Sequence, residues 1–195
     1  MSVLWDVDSP RPATTPLAAD AQADLCVIGL GGSGLTAIRE AQARGMSVVG
    51  LDAGRIAAGA AGRNGGFMLA GIATFYHQAV QDHGRAAAGA MYEHTLREMQ
   101  RVESDLPGVF RRCGVLRAAV DDVEFEDCLA HREALLHDGY SADVYAGPQG
   151  RGILIPSDGV FHPVQRATAL ARHAIRDGAR VHTETPVTGI ESGTV

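Results

Sequence analysis

The hydrophobic pattern changes sharply near residue 23. Upstream, Pro10, Pro12 and Pro16 punctuate a stretch rich in Ala, Thr and Asp. That pattern predicts a leader over residues 1–22 without regular structure, by default a mobile arm, with Trp5 as the side chain able to dock. Downstream, Leu25-Cys26-Val27-Ile28 is a continuous apolar run, the pattern of a strand buried on both faces in a parallel sheet. Glycines follow at 29, 31, 32 and 34. Leu35, Ile38, Ala41 and Gln42 then step by three and four as a helix, and Gly45 stands where a left-handed C-cap belongs. Ser47 to Leu51 reads as a second strand with Asp52 at its tip. Together these make a β-α-β unit of roughly 30 residues, the crossover of a parallel sheet.

Residues 53–74 are small and Gly-rich. They carry too little side chain to form a core, but they let backbone come close to something else. Residues 84–106 are predicted helical, with Tyr92, Leu96, Met99 and Val102 on one face and Pro107 beyond the end. Val109 to Val120 reads as a strand or hairpin arm. Asp121 or Asp122 caps a helix running to about His137, closed by Gly139. Residues 141–152 read as loop, followed by a short strand, Ile153 to Ile155. Pro163 opens a helix over 164–177 that stops at Gly178. Two short strands, 180–183 and 187–191, flank Pro186. The predicted organisation is a leader (1–22), a nucleotide-binding β-α-β with its loop (23–75), part of an inserted substrate region (76–160) and a return to the first domain (161–195). No internal repeat interrupts it.

Composition narrows the chemistry. The chain has 195 residues, 46% hydrophobic and 21% charged, as an ordinary folded protein does. A net charge of −6 gives no reason to expect a nucleic-acid or anionic-membrane partner. No apolar run approaches the ~20 residues of a membrane span, and the first residues lack the basic-then-apolar order of a signal peptide. The 17 basic residues are all Arg, so this chain holds no P-loop lysine, pyridoxal Schiff base or lysine nucleophile. Cys26, Cys113 and Cys128 are widely spaced and form no CxxC pair, which reads as reduced thiols in a cytoplasmic protein. None of the 8 histidines stands at HxH or HExxH spacing, so no metal site is expected. His77 and His162 are read as packing or capping residues, with a place near a ligand as the alternative.

Two constellations carry chemistry. In Gly29-x-Gly31-x-x-Gly34, the first glycine permits a tight turn, the second admits a pyrophosphate to the backbone, and the third lets helix and strand pack closely. The N–H groups of the helix start, including Gly32 and Ser33, offer partial positive charge to that pyrophosphate. Asp52, at the tip of the next strand, is placed to accept bonds from an adenosine ribose, and its charge repels a 2′-phosphate, which argues against NADP. The second constellation is Gly62-Arg63-Asn64-Gly65-Gly66-Phe67. Its glycines bring N–H groups to a ligand without an intervening side chain, and Arg63 and Asn64 are candidates to reach phosphate or sugar oxygens.

The segments VIGLGGSGLTAIREAQARGMSVVGLDAG and AAGAAGRNGGFMLAG resemble the FAD-binding start of the D-amino-acid oxidase, glycine oxidase and sarcosine oxidase superfamily. ILIPSDGVFHPVQRATALARHAIRDGARVHTETPVTGIESG is similar to that family's return to the flavin domain. The resemblance implies an α/β fold: a Rossmann-like FAD-binding parallel sheet with part of an inserted α+β substrate region. It implies FAD, covalent or not, and a small-molecule amine or amino-acid substrate oxidised at its C–N bond by hydride transfer to the flavin, giving an imine. It places the pyrophosphate on Gly29 to Gly34 and the ribose on Asp52 with Ala53. The flavin-side loop falls on Ala61, Arg63, Asn64, Gly65, Gly66 and Phe67, and the adenine on the backbone of Val187. No residue is assigned a catalytic role. Family members are longer, so the expectation is a fragment, a truncated product or a half that self-associates or needs a complementary chain. The alternatives are an NAD-dependent dehydrogenase, which has no use for GRNGGF, a quinone-reducing dehydrogenase of the same superfamily, and a non-catalytic half-domain.

Overall fold

The computed structural model describes residues 4–6 and 9–191. In chain order its elements are β1 (Leu25–Ile28), α1 (Gly32–Gln42), β2 (Val48–Leu51), β3 (Phe67–Met68), α2 (Tyr76–His83), α3 (Arg85–Asp105), β4 (Phe110–Arg112), β5 (Val115–Ala118), α4 (Asp122–His137), β6 (Asp143–Gly147), β7 (Gly150–Ile155), β8 (Gly159–Phe161), α5 (Pro163–Arg176) and β9 (Arg180–His182). The fold is mixed α/β. The described residues up to Gly66 and from His162 onward form one compact unit, and Phe67–Phe161 form the other.

The first unit is a parallel sheet in the order β1-β2-β9. β2 is central and wholly buried, as its Val-Val-Gly-Leu sequence requires. α1 lays Leu35, Ile38 and Ala41 into the core, each of the two larger side chains contributing roughly 1.5–3 kcal/mol by leaving water. Gly50 makes room for them: a Cβ there would lie 2.8 Å from both Ile38 Cδ1 and Leu30 Cδ2. α5 buries a stripe from Val164 through Ala167, Leu170, Ala171 and Ala174, and packs on α1. α1 ends as predicted by Gly45. The Met46 N–H donates to the Ala41 carbonyl and the Gly45 N–H to that of Gln42, with Gly45 at φ +79°. That geometry is a Schellman cap, and L side chains disfavour its left-handed residue. The same two bonds recur at Gly139 and Gly178.

The second unit holds two three-stranded antiparallel sheets, β3-β8-β4 and β5-β7-β6, with α2, α3 and α4. Its core gathers Tyr76, Tyr92, Cys128, Leu135, Ile153 and Ile155. At its edge, the Tyr76 hydroxyl and Arg85 both donate to Asp138, at 2.7 and 2.6 Å.

Four expectations need correction. The leader is irregular apart from one turn at Leu4–Asp6, but it is tied down by hydrogen bonds along its described length and is no free arm. Residues 141–152 are largely the β6-β7 hairpin. Gly152 sits where β7 comes close to β5, since a Cβ there would collide with the Arg117 carbonyl, and Gly150 has φ +103°. Val109 to Val120 divides into β4 and β5, which enter different sheets on either side of Gly114 at φ +73°. No strand follows β9 over 187–190; Glu191 makes an isolated bridge. α2 and β8 were not foreseen.

Candidate functional site

The turn between β1 and α1 follows from its glycines. Gly29 has φ +95°, and its N–H donates to the Leu51 carbonyl at 2.7 Å, which ties the turn to the end of β2. A Cβ on Gly34 would collide with the Gly29 carbonyl, so this position is glycine for packing. Gly31 differs: a Cβ there meets only Ala61 Cβ, at an ordinary 3.5 Å. Gly31 is also the N-cap of α1, and no side chain caps that end. The first N–H groups of α1, from Gly32 and the exposed Ser33 onward, therefore keep their donor capacity and the positive end of the helix dipole.

Asp52 stands beside this turn. One carboxylate oxygen accepts from the Leu30 N–H at 2.7 Å and the other from the Gly54 N–H at 2.8 Å. Each oxygen keeps a lone pair for a hydroxyl donor. The Asp52 N–H donates to the His182 carbonyl, and the Thr185 N–H to the Asp52 carbonyl. The chain leading to Val187, itself partly buried and outside regular structure, thus passes the tip of β2. Ala53 is exposed.

The loop after β2 is held by its own atoms. Gly62 is buried, and a Cβ there would collide with the Ala57 carbonyl and lie 3.2 Å from Val164. Asn64 donates from Nδ2 to the Ala61 carbonyl at 3.1 Å and accepts the Gly66 N–H on Oδ1 at 3.0 Å. Its side chain shapes the loop. Arg63 and Gly65 are exposed, and Ala61 lies beside Gly31. Phe67 opens β3 in the second unit and is 61% exposed.

The structure therefore gathers Gly29, Gly31, Gly32, Ser33, Gly34, Asp52 and Ala61 around one uncapped helix end. Two neighbours escaped sequence reasoning. The Arg166 guanidinium, from α5, covers Gly32, where a Cβ would lie 2.8 Å from Nη1. The Trp5 indole donates to the Asn64 carbonyl at 2.9 Å. Arg166 has no local motif to announce it; Trp5 is the leader side chain expected to dock, and no local motif says where it does so. His162 caps α5, its Nδ1 accepting the Gln165 N–H at 3.2 Å. His77 pairs with Asp127 at 3.0 Å. Among the described residues no cluster of His, Cys, Asp and Glu could hold a metal ion, and no helix is long and apolar enough to cross a membrane.

A family model described as DAO, FAD dependent oxidoreductase, matches residues 24–195. The probable oxidoreductase OrdL of Haemophilus influenzae is 24% identical over 192 residues, covering 88% of this chain and 44% of that protein. Among solved structures, L-amino acid deaminase from Proteus vulgaris superposes with a TM-score of 0.68 at 20% identity, covering 93% of this chain and 44% of that one. Glycine oxidase from Bacillus cereus does so with a TM-score of 0.62 at 20% identity, covering 87% and 50%. The chain spans about half the length of these relatives.

Proposed function

The chain belongs to the DAO family of FAD-dependent oxidoreductases, and from that premise we propose that its first unit binds FAD. The observation that carries this reading is the uncapped N-terminus of α1 behind Gly29, Gly31 and Gly34, with the Asp52 carboxylate held beside it by the Leu30 and Gly54 N–H groups. The residues present fit the group. Gly31 leaves open backbone where a pyrophosphate would approach, and the helix dipole and the nearby Arg166 both favour an anion. Asp52 retains acceptor capacity for ribose hydroxyls and disfavours a 2′-phosphate. Ala53 and Val187 serve the adenosine side. Ala61, Arg63, Asn64, Gly65, Gly66 and Phe67 serve the flavin side, Asn64 through the shape it gives the loop.

We further propose an oxidoreductase that takes a small amine or amino acid and oxidises its C–N bond. Bound FAD supplies the hydride acceptor for that chemistry; the chain's residues bind and orient it. Support comes from the kinds of relatives, an L-amino acid deaminase and a glycine oxidase, which share the fold. An NAD-dependent dehydrogenase fits less well, because the Gly62–Phe67 loop has no counterpart role there. The test is anaerobic addition of glycine, sarcosine, D- and L-amino acids and polyamines to FAD-loaded protein. Bleaching of the flavin by one of these classes supports the reading. Bleaching by hydroxy acids or nicotinamide cofactors alone overturns it.

A further inference from the structure

The leader is bonded to both ends of the loop that follows β2. Arg11 Nε donates to the Ile56 carbonyl at 2.7 Å, near the start of that loop. Trp5 Nε1 donates to the Asn64 carbonyl at 2.9 Å, near its end. Between them, the Asp6 carboxylate receives Arg11 at 2.6 Å and Arg55 at 2.8 Å, and the side chains of both Arg11 and Asp6 are only 14% exposed. The Trp5 ring meets the His162 ring edge-on at 5.0 Å. His162 Nδ1 accepts from Gln165, so Nε2 carries the proton and faces the buried Ser9 hydroxyl at 3.4 Å. Further along, Thr14 bonds to Thr183 at 2.7 Å and the Leu17 N–H to the Thr185 hydroxyl at 3.0 Å. The leader thus touches both the Gly-rich loop and the segment leading to Val187.

Two of these ties end on backbone carbonyls, so they fix the path of the loop itself. Asn64 passes the constraint on, since the same residue holds Gly66 and Ala61. A loop this rich in glycine has much backbone freedom to lose when a ligand orders it. A strap that orders it beforehand removes that cost from binding. We propose that Trp5, Asp6 and residues 9–17 position the cofactor loop, with Trp5 and Arg11 as positioning residues acting through Asn64 and Ile56. The proposal rests on the reading of this loop as the flavin-side contact.

Trp5→Phe tests it, because the ring against His162 stays and only the donor to Asn64 is lost. Three readouts separate the outcomes. The first is FAD affinity by flavin fluorescence. The second is trypsin cleavage after Arg63, in the loop, against cleavage after Arg44, whose side chain is 68% exposed at the end of α1 in the same unit. The third is Tm. Cleavage needs no cofactor, and a chain with no lysine gives trypsin only arginine sites. The expected result is an FAD Kd raised about fivefold or more, faster cut at Arg63, unchanged cut at Arg44 and a Tm within about 1 °C of the parent. Equal affinity and equal Arg63 cleavage overturn the proposal. So does a lowered Tm with both sites cut faster, which means that the leader only stabilises the fold. If the parent chain binds no FAD, the reading of the loop as a flavin contact fails instead. Arg63 cleavage then decides alone whether Trp5 holds the loop: faster cutting there supports the strap, and no change overturns it.

Discussion

Glycines of the β1-α1-β2 unit do different work, and the difference is measurable. A Cβ on Gly31 meets nothing closer than Ala61 at 3.5 Å. Gly31→Ala should therefore fold like the parent and lose FAD affinity about tenfold, because in the proposed site the new methyl stands where a pyrophosphate would come to the backbone. Gly45, at φ +79° with nothing within 4 Å of its Cβ position, is the converse. Gly45→Ala should cost roughly 1 kcal/mol of stability and leave FAD affinity alone. Urea denaturation and flavin titration on the two variants check the pair; equal behaviour in both assays contradicts it. His131 is the other informative residue. It is buried, its Nδ1 accepts the Tyr76 N–H at 2.8 Å, and burial first, then Arg117 and His77, push its pKa down to about 4. The unfolded chain takes up this proton near pH 6.5 and the folded one does not. His131 thus contributes stability that is complete above pH 6.5 and falls as pH drops toward 4, by about 3 kcal/mol. Asp158, whose carboxyl burial raises, acts with the opposite sign. The comparison with His131→Gln, which keeps an acceptor for Tyr76, isolates the histidine. The stability advantage of the parent over the variant should shrink between pH 7 and pH 4.5, and urea midpoints that stay parallel would contradict this.

At the scale of elements, α4 carries the cleanest start signal. The Asp121 side chain accepts the Glu124 N–H at 2.8 Å, and Glu124 reaches back to the Val120 N–H at 2.8 Å. Removing this cap by Asp121→Ala should cost about 1 kcal/mol, read from the urea midpoint, with no change in FAD affinity. Elements were legible where local chemistry sets them. The β1-α1-β2 unit has its apolar runs, its glycines and its Schellman stop, and α5 has Pro163 at its first turn and Gly178 at its end. They were illegible where tertiary packing decides. Gly147, Gly150 and Gly152 read as loop, yet they lie in the β6-β7 hairpin: a Cβ on Gly152 would collide with the Arg117 carbonyl of β5, one on Gly147 with the Tyr145 ring of its own strand, and Gly150 stands at φ +103°. α2 is held at its first residue by His131, fifty-five positions away in sequence, and no local pattern announces that bond. The leader has no periodicity at all; it is ordered by bonds to Ile56, Asn64, Thr183 and Thr185.

At the scale of the molecule, the site's residues come together because a parallel crossover returns β2 beside β1 and places Asp52 next to the start of α1. Spacing made that much visible; the positions of Arg166 and Trp5 depend on α5 and on the leader. Among the described residues, β1 pairs with β2 alone, and Ile28 on it is 48% exposed. An open strand edge with an apolar side chain templates association, so the isolated chain should self-associate as its concentration rises. Light scattering that shows a monomer at every concentration would contradict this. The central claim, that the first unit is an FAD site built on Gly29 to Gly34 and Asp52, is tested most directly by equilibrium titration of the purified chain with FAD, with ADP as competitor and NADPH in parallel. Saturable FAD binding is expected, displaced by ADP because pyrophosphate and ribose are the parts these residues hold, and weakened in Gly31→Ala. NADPH binding without FAD binding, or FAD binding that ADP leaves untouched, would contradict it.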